Sequence, residues 1–374
     1  MDLEIWLQHM VDKKASDLFL AVDVPPTIKI NGEMSHLSKE KLSAKQVQDI
    51  VLSMMSDDQR EHFAKTRELN FAIHRDNLGR FRVSAFQQRS YVGAVLRRIE
   101  TLIPTLEDLR VSKILYEFAL IQRGLVIVAG ATGAGKSSTL AAMIGYRNKN
   151  TKGHIITIED PIEFVHQHHN CIVTQREVGI DTDSYEIALK NALRQVPDVI
   201  LIGEIRSRET MEYAVSFAET GHLCLATLHA NNANQALDRI INFFPTNAQP
   251  QLWIDLSLNL KAIVLQQLIP TINKKERIPA VEILINTPIV SDYIRKGEVG
   301  ALKGFMAKSN ELGMQTFDQA LFKLYADGKI SYESALQFAD SENELRLMIK
   351  LSQGTRGITT TAELSILRDQ SSES

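Results

Sequence analysis

The chain has 374 residues, of which 44% are hydrophobic and 23% charged, with a formal net charge of −3. That balance excludes a disordered or fibrous chain and gives no global attraction to nucleic acid or anionic lipid. No apolar run approaches the roughly 20 residues of a spanning helix, and MDLEIWLQHM lacks a basic-then-apolar leader pattern. The expectation is a cytoplasmic protein of two or three domains that meets membranes only through partners. Its two cysteines, Cys171 and Cys224, suit a reducing compartment and are expected as buried core thiols.

A first zone runs over residues 1–100. Leu3, Leu7, Met10 and Val11 lie on one helical face. Ser43 and Gln46 have capping-box spacing ahead of Val47, Ile50, Val51 and Met54, which predicts a second helix. DLFLAV and TIKI read as strands around Pro25-Pro26. RFRVSAF alternates Phe81, Val83 and Ala85 against Arg82 and Ser84, with YVGAVLRRI as its hairpin partner. The zone reads as a small α+β domain. Its Arg80, Arg82, Arg97 and Arg98 are either solvated decoration or charge-neutralising fingers for a nucleotide.

Residues 101–112 form a linker. A second zone, 113–290, alternates aliphatic runs (GLVIVAG, HIITIED, VILIGEI, HLCLATLH) with amphipathic helices. One helix carries Met211, Ala214, Val215 and Ala218; another carries Leu237, Ile240, Ile241 and Phe244. Continuous aliphatic strands between helices predict a sheet buried on both faces, hence a largely parallel α/β core. Residues 291–352 read as a helical region with Phe317, Leu321 and Leu324 on one stripe, and 353–374 as a disordered polar tail.

Residues Gly130-Ala131-Thr132-Gly133-Ala134-Gly135-Lys136-Ser137 are a complete G-x-x-x-x-G-K-[ST], followed by Ser138. The motif sits between a predicted strand and a predicted helix, the context its chemistry requires. Its glycines let backbone N–H groups wrap phosphates, and the helix directs its positive end there. Lys136 would neutralise β/γ-phosphate charge and Ser137 would ligate Mg2+. The motif implies ATP or a similar nucleotide as ligand, without saying what hydrolysis drives.

Ligands of a parallel α/β sheet sit beyond the carboxyl ends of its strands. Glu159, Asp160 and Glu204 fall at such ends, with Glu163 just beyond. Carboxylates there can orient a water or hold a metal-bound one; Glu159 and Asp160 can equally be strand-end caps. VILIGEI has no terminal Asp, because Asp198 stands at its start. His222 and His229 bracket one strand. At about 3.3 Å per residue the pair is more than 20 Å apart, too far for one metal, and His229 suits a γ-phosphate sensor. HQHHNC (His166, His168, His169, Cys171) matches no zinc spacing and reads as a polar loop over the nucleotide site.

ATGAGKSSTLAAMI, ITIEDPIEFVH, QREVGID, ALRQVPDVILIGEIR and ETGHLCLATLHANNA, in this order, resemble the secretion/pilus ATPase superfamily. SDLFLAVDVPPTIKINGE, GRFRVSAF and GMQTFDQALFKLYADGKISYESAL resemble its type IV pilus retraction branch, the PilT/PilU family. The resemblance implies a RecA-like P-loop ATPase core, an N-terminal α+β PAS-like domain and a C-terminal helical region. It implies Glu204 as the Walker-B acid, holding Mg2+ through water, and Glu163 as the catalytic glutamate. It also implies His229 near the γ-phosphate, and Arg82 and Arg97, fifteen residues apart, as paired arginines acting on ATP.

Where PilT-type proteins carry an AIRNLIRE-like element, PIVSDYIRKGEV keeps Ile294, Arg295 and Gly297 but loses most of it. Together with the ending ADSENELRLMIKL this resembles the PilU-type motors. The resemblance implies a homo-hexamer that hydrolyses ATP to promote pilus retraction and twitching motility. Its implied partners are a PilT-type retraction ATPase and an inner-membrane pilus platform protein, and its place is peripheral at the membrane. An assembly or type II secretion ATPase is the alternative, opposed by the short N-terminal zone and the absence of a tetracysteine element. A nucleic-acid translocase is opposed by the acidic balance, and a nucleotide-binding regulator without turnover by the retained Lys136, Glu163 and Glu204.

Overall fold

The computed structural model describes residues 2–30, 32–99 and 102–352. The expected tail, 353–374, lies outside the described residues. The chain divides into two compact units. One comprises Met1–Ile103, Thr157–Gln167 and Val173–Asn191; the other comprises Pro104–Ile156, His168–Ile172 and the chain from Ala192 onward. The segments 157–167 and 173–191, which the sequence groups with the second zone, thus cluster with the first.

In the first unit, α1 (Asp2–Asp12) buries Leu3, Leu7 and Met10, the stripe its spacing predicts. Then come β1 (Asp17–Leu20), β2 (Thr27–Ile30) and β3 (Glu33–His36), α2 (Ala44–Ser53), α3 (Asp57–Thr66), β4 (Glu68–Arg75), β5 (Gly79–Gln88) and β6 (Tyr91–Arg98). Ser43 and Gln46 close a reciprocal capping box at the start of α2, and Ser56 and Gln59 a second one on α3. The strands form a sheet in the order β3-β2-β1-β6-β5-β4. The β5–β6 hairpin forms as its alternation predicts, with Phe81, Val83 and Ala85 facing the core.

The chain continues through α4 (Ile114–Leu120), β7 (Gly124–Ala129), α5 (Lys136–Asn150), β8 (Gly153–Glu159), β9 (Cys171–Glu177) and α6 (Tyr185–Ala192). After these come β10 (Val199–Ile202), α7 (Arg208–Glu219), β11 (Leu223–Leu228), α8 (Ala233–Asn242), α9 (Gln249–Asn259), β12 (Leu260–Pro270) and β13 (Arg277–Ile285). The helices α10 (Pro288–Lys296), α11 (Leu302–Met306), α12 (Phe317–Ala326) and α13 (Tyr332–Gln337) follow. The sheet order is β13-β12-β7-β11-β10-β8-β9. β7, β10 and β11 are buried along their whole length, which explains their unbroken aliphatic runs. β12–β7, β7–β11 and β11–β10 pair in parallel, so the carboxyl ends of β7, β11 and β10 lie along one edge. β13 adds antiparallel to β12. The observed architecture is the α/β class with a parallel core that the sequence predicts. Cys171 and Cys224 are buried thiols, as expected. Among the described residues no helix is long and apolar enough to cross a membrane.

Candidate functional site

The phosphate loop leaves β7 at Ala129 and enters α5 at Lys136. Gly135, the residue before the helix, has φ +87, a left-handed conformation that glycine adopts without a Cβ penalty. A Cβ there would lie 2.7 Å from Gln266 Nε2, and one on Gly130 would lie 2.5 Å from Gln266 O. No side chain caps the start of α5, so its first-turn N–H groups remain directed at the loop's concavity. Lys136 Nζ donates to Gly130 O (2.9 Å) and Ala131 O (3.0 Å). These features fit an anion: a helix start without a side-chain cap, a helix positive end and the Lys136 ammonium beside the loop carbonyls. Ser137 and Ser138 are half-buried in the first helical turn.

Gln266 on β12 stands behind this loop, 3% exposed. Its Nε2 donates to Ala134 O (2.8 Å), and its Oε1 accepts from Thr139 Oγ1 (2.8 Å). One side chain therefore fastens the loop to the helix it opens. Nothing in the linear sequence marks Gln266, which acts over more than a hundred residues of chain.

Two strand ends complete the site in this unit. Glu204 follows β10 and His229 follows β11, and His229 Nε2 lies 3.2 Å from Glu204 Oε1. Arg206 Nη2 donates to Glu204 Oε2 at 2.7 Å. Burial works to raise the Glu204 carboxyl, yet Arg206, His229 and Lys136 together hold it below its ordinary value. Glu204 is thus an ionised acid within electrostatic reach of the loop lysine. The oxygen donors Ser137 Oγ and Glu204 suit a hard divalent cation, directly or through water. Asp198 sits at the opposite end of β10, where its Oδ2 accepts His154 N at 2.8 Å. That is a strand-start clamp, as its place in VILIGEI implies.

The predicted set is divided between the units. Lys136, Ser137, Glu204 and His229 come together in the second; Arg82, Arg97 and Glu163 belong to the first. Arg82 and Arg97 are directly opposite each other on β5 and β6, which is why they stand fifteen residues apart. Like charges in that register repel, and each is matched by its own acid. Arg82 Nη2 donates to Glu177 Oε1 at 2.8 Å, and Arg97 Nε to Asp17 Oδ1 at 2.8 Å. Glu177 is 3% exposed and also accepts Ile162 N. The sequence gives no separate reason to single out Glu177, although it lies inside QREVGID.

Glu163 is exposed. Glu159 Oε1 accepts from Thr157 Oγ1 (2.6 Å) and from Gln175 Nε2 (3.2 Å), both in the same unit. Burial, reinforced by the charges of Glu163 and Glu177, pushes the Glu159 carboxyl up to about 7.

One expectation is overturned. The HQHHNC stretch does not lie over the nucleotide loop. His169 N and Cys171 N both donate to Asn148 Oδ1 at 3.2 Å, near the C-terminal end of α5. Asn148 is twelve residues beyond Lys136, about 18 Å along the helix axis at about 1.5 Å per residue. The stretch is anchored to the helix end opposite the phosphates because it leads into β9. His166 is buried in the first unit, where its main-chain N–H donates to Gln175 Oε1, and burial pushes its imidazole down to about 4. Among the described residues no cluster of His, Cys, Asp and Glu has metal-holding geometry. His222 caps the end of α7, with Nδ1 at 3.0 Å from Thr220 Oγ1, far from His229.

The family described as type II/IV secretion system protein matches residues 2–309. The type IV pilus ATPase PilU of Pseudomonas aeruginosa is 64% identical over 351 residues, covering 94% of this chain and 92% of that protein. The type IV pilus retraction ATPase PilT of the same organism is 40% identical over 339 residues, covering 91% and 98%. A crystal structure of the pilus retraction motor PilT with bound ADP superimposes with a TM-score of 0.86 at 39% identity, covering 92% of this chain and 98% of that one. With its phosphate loop, its glutamate-ended β10 and its histidine-ended β11, the chain belongs to the type II/IV secretion system protein family.

Proposed function

We propose that this chain is an ATP-hydrolysing ring motor of type IV pilus retraction, of the PilU kind that assists a PilT-type motor. The observation that carries this reading is the Lys136–Glu204–His229 constellation at the carboxyl ends of neighbouring parallel strands. The pilus assignment is supported by the 64% identity to PilU over 94% of the chain.

In this mechanism Lys136 exchanges the carbonyls of Gly130 and Ala131 for β/γ-phosphate oxygens of ATP. Mg2+ would supply charge neutralisation at those phosphates, and Ser137 with Glu204, through water, would hold it. Glu204 remains ionised throughout, because Arg206, His229 and Lys136 hold its carboxyl below its ordinary value. His229, whose Nε2 lies 3.2 Å from Glu204 Oε1, senses the γ-phosphate. Glu163 orients the attacking water, and Arg82 and Arg97 neutralise transition-state charge after releasing Glu177 and Asp17. Six copies form the ring. It acts at the cytoplasmic face of the inner membrane on the pilus platform protein.

The test counts surface pili and retraction events in cells lacking this protein, with the PilT-type motor intact or catalytically crippled. Weakened retraction, most evident when the PilT-type motor is crippled, is expected. Cells without pili would instead identify an assembly motor.

A further inference from the structure

Glu282 lies midway along β13, 2% exposed, and takes no part in the site described above. Its two oxygens accept main-chain N–H groups from two different helices. Oε1 takes Ala233 N, the first residue of α8, at 2.7 Å; Oε2 takes Phe317 N, the first residue of α12, at 3.2 Å. Such first-turn donors lack a partner inside the helix, and the positive ends of both helices face the carboxylate. Both helices already have side-chain caps: Asn232 accepts Gln235 N at 2.9 Å, and Thr316 accepts Gln319 N at 3.3 Å. Glu282 therefore replaces no missing cap. It joins two capped helices through one rigid group.

A second tie runs beside the first. Asn232 Nδ2 donates to Asp340 Oδ1 at 3.1 Å. Lys303 Nζ donates to Asp340 Oδ2 at 2.6 Å and to Asp318 Oδ2 at 3.3 Å. Asp318 Oδ1 accepts the N–H groups of Asp340 and Ser341 at 2.9 and 3.2 Å. The start of α8 is thus bound to α12 and to the chain after α13 at two points. Burial pushes the Glu282 carboxyl up to about 7, so its two donors do not offset its desolvation, and stability is a poor reason for a carboxylate there.

His229 stands three residues before Asn232, the cap of α8. Three residues span at most about 10 Å, so the imidazole is tethered within that reach of the start of α8. We propose that Glu282 is a positioning residue for His229. It holds the start of α8 to the C-terminal helices, so that the imidazole meets Glu204 only while those helices are seated. The inference rests on the reading of His229 as part of the ATP site. Through this link, movement of the C-terminal helical region would reach the phosphate end of the site.

The test is a double-mutant cycle in the full chain, with folding monitored by thermal unfolding. A glutamine at 282 offers one acceptor for two N–H groups and turns an amide donor toward the other. Glu282→Gln is expected to lower kcat by about tenfold, the order of loss that a small misplacement of a reacting group produces, with KM for ATP changed less than about twofold. In a His229→Ala background the same substitution is expected to lower kcat less than about twofold, because the residue it acts through is gone. Equal fold losses in both backgrounds, or no loss in either, would overturn the positioning role. Should Glu282→Gln not fold, the same cycle with Asp340→Ala decides, since it cuts the second tie at a partly exposed position. A loss confined to the His229 background supports the proposal, and an equal or absent loss overturns it. An unchanged kcat in His229→Ala alone would overturn both the inference and the site reading beneath it.

Discussion

Lys136 donates to two carbonyls of its own loop and interacts electrostatically with Glu204. Lys136→Ala is therefore expected to abolish ATP binding without unfolding the chain; unchanged affinity in calorimetry would refute the phosphate-loop assignment. Glu163 is exposed and carries no packing role, so Glu163→Gln should bind ATP normally and hydrolyse it at least about a hundredfold more slowly. A near-normal rate would transfer the water-orienting role to Glu204. Glu159 has a folded-state carboxyl raised from 4.5 to about 7. A raised carboxyl adds stability fully below its unfolded value, and that contribution is lost as pH rises through the folded one. Glu159→Gln removes this loss. The variant's unfolding temperature should accordingly gain on the parent's between pH 4.5 and about 7. A constant difference across that window would show that Glu159 does not titrate there.

At the scale of elements, the phosphate loop is a strand, a turn and a helix that are contiguous in sequence, so it is legible without a structure. Its brace is not. Gln266 satisfies Ala134 O and the hydroxyl of Thr139, which is fully buried. Gln266→Leu leaves both without that partner and should cost about 1–3 kcal/mol for each buried group left unpaired. Denaturant unfolding and nucleotide affinity should both register the loss, and an unchanged midpoint would mean that water replaces the amide. The β5–β6 hairpin shows the opposite case. Its alternation gives the strands, and the register Arg82 opposite Arg97 follows from a tight turn. The acids that quench each arginine, Glu177 and Asp17, come from other elements and are invisible to alternation.

For the whole molecule, the parallel core places Lys136, Glu204 and His229 in one unit, while Arg82, Arg97 and Glu163 belong to the other. Under the proposed mechanism, ATP chemistry that draws on residues of both units would couple hydrolysis to their movement, and in a ring each step would involve neighbouring copies. Sedimentation with a non-hydrolysable ATP analogue is expected to give six-subunit rings, and a persistent monomer under those conditions would count against the ring mechanism.

What the sequence determined by itself was local. Hydrophobic period gave the strands and helices, the glycine–lysine spacing gave the phosphate loop, and strand ends gave Glu204 and His229, because each depends on residues a few positions apart. The tertiary structure decided what depends on distant pairs. It carried the histidine-rich stretch to the far end of α5, set Gln266 behind the phosphate loop and clamped two helix starts on Glu282. Burial and long-range hydrogen bonding set those roles, and neither leaves a period in the chain.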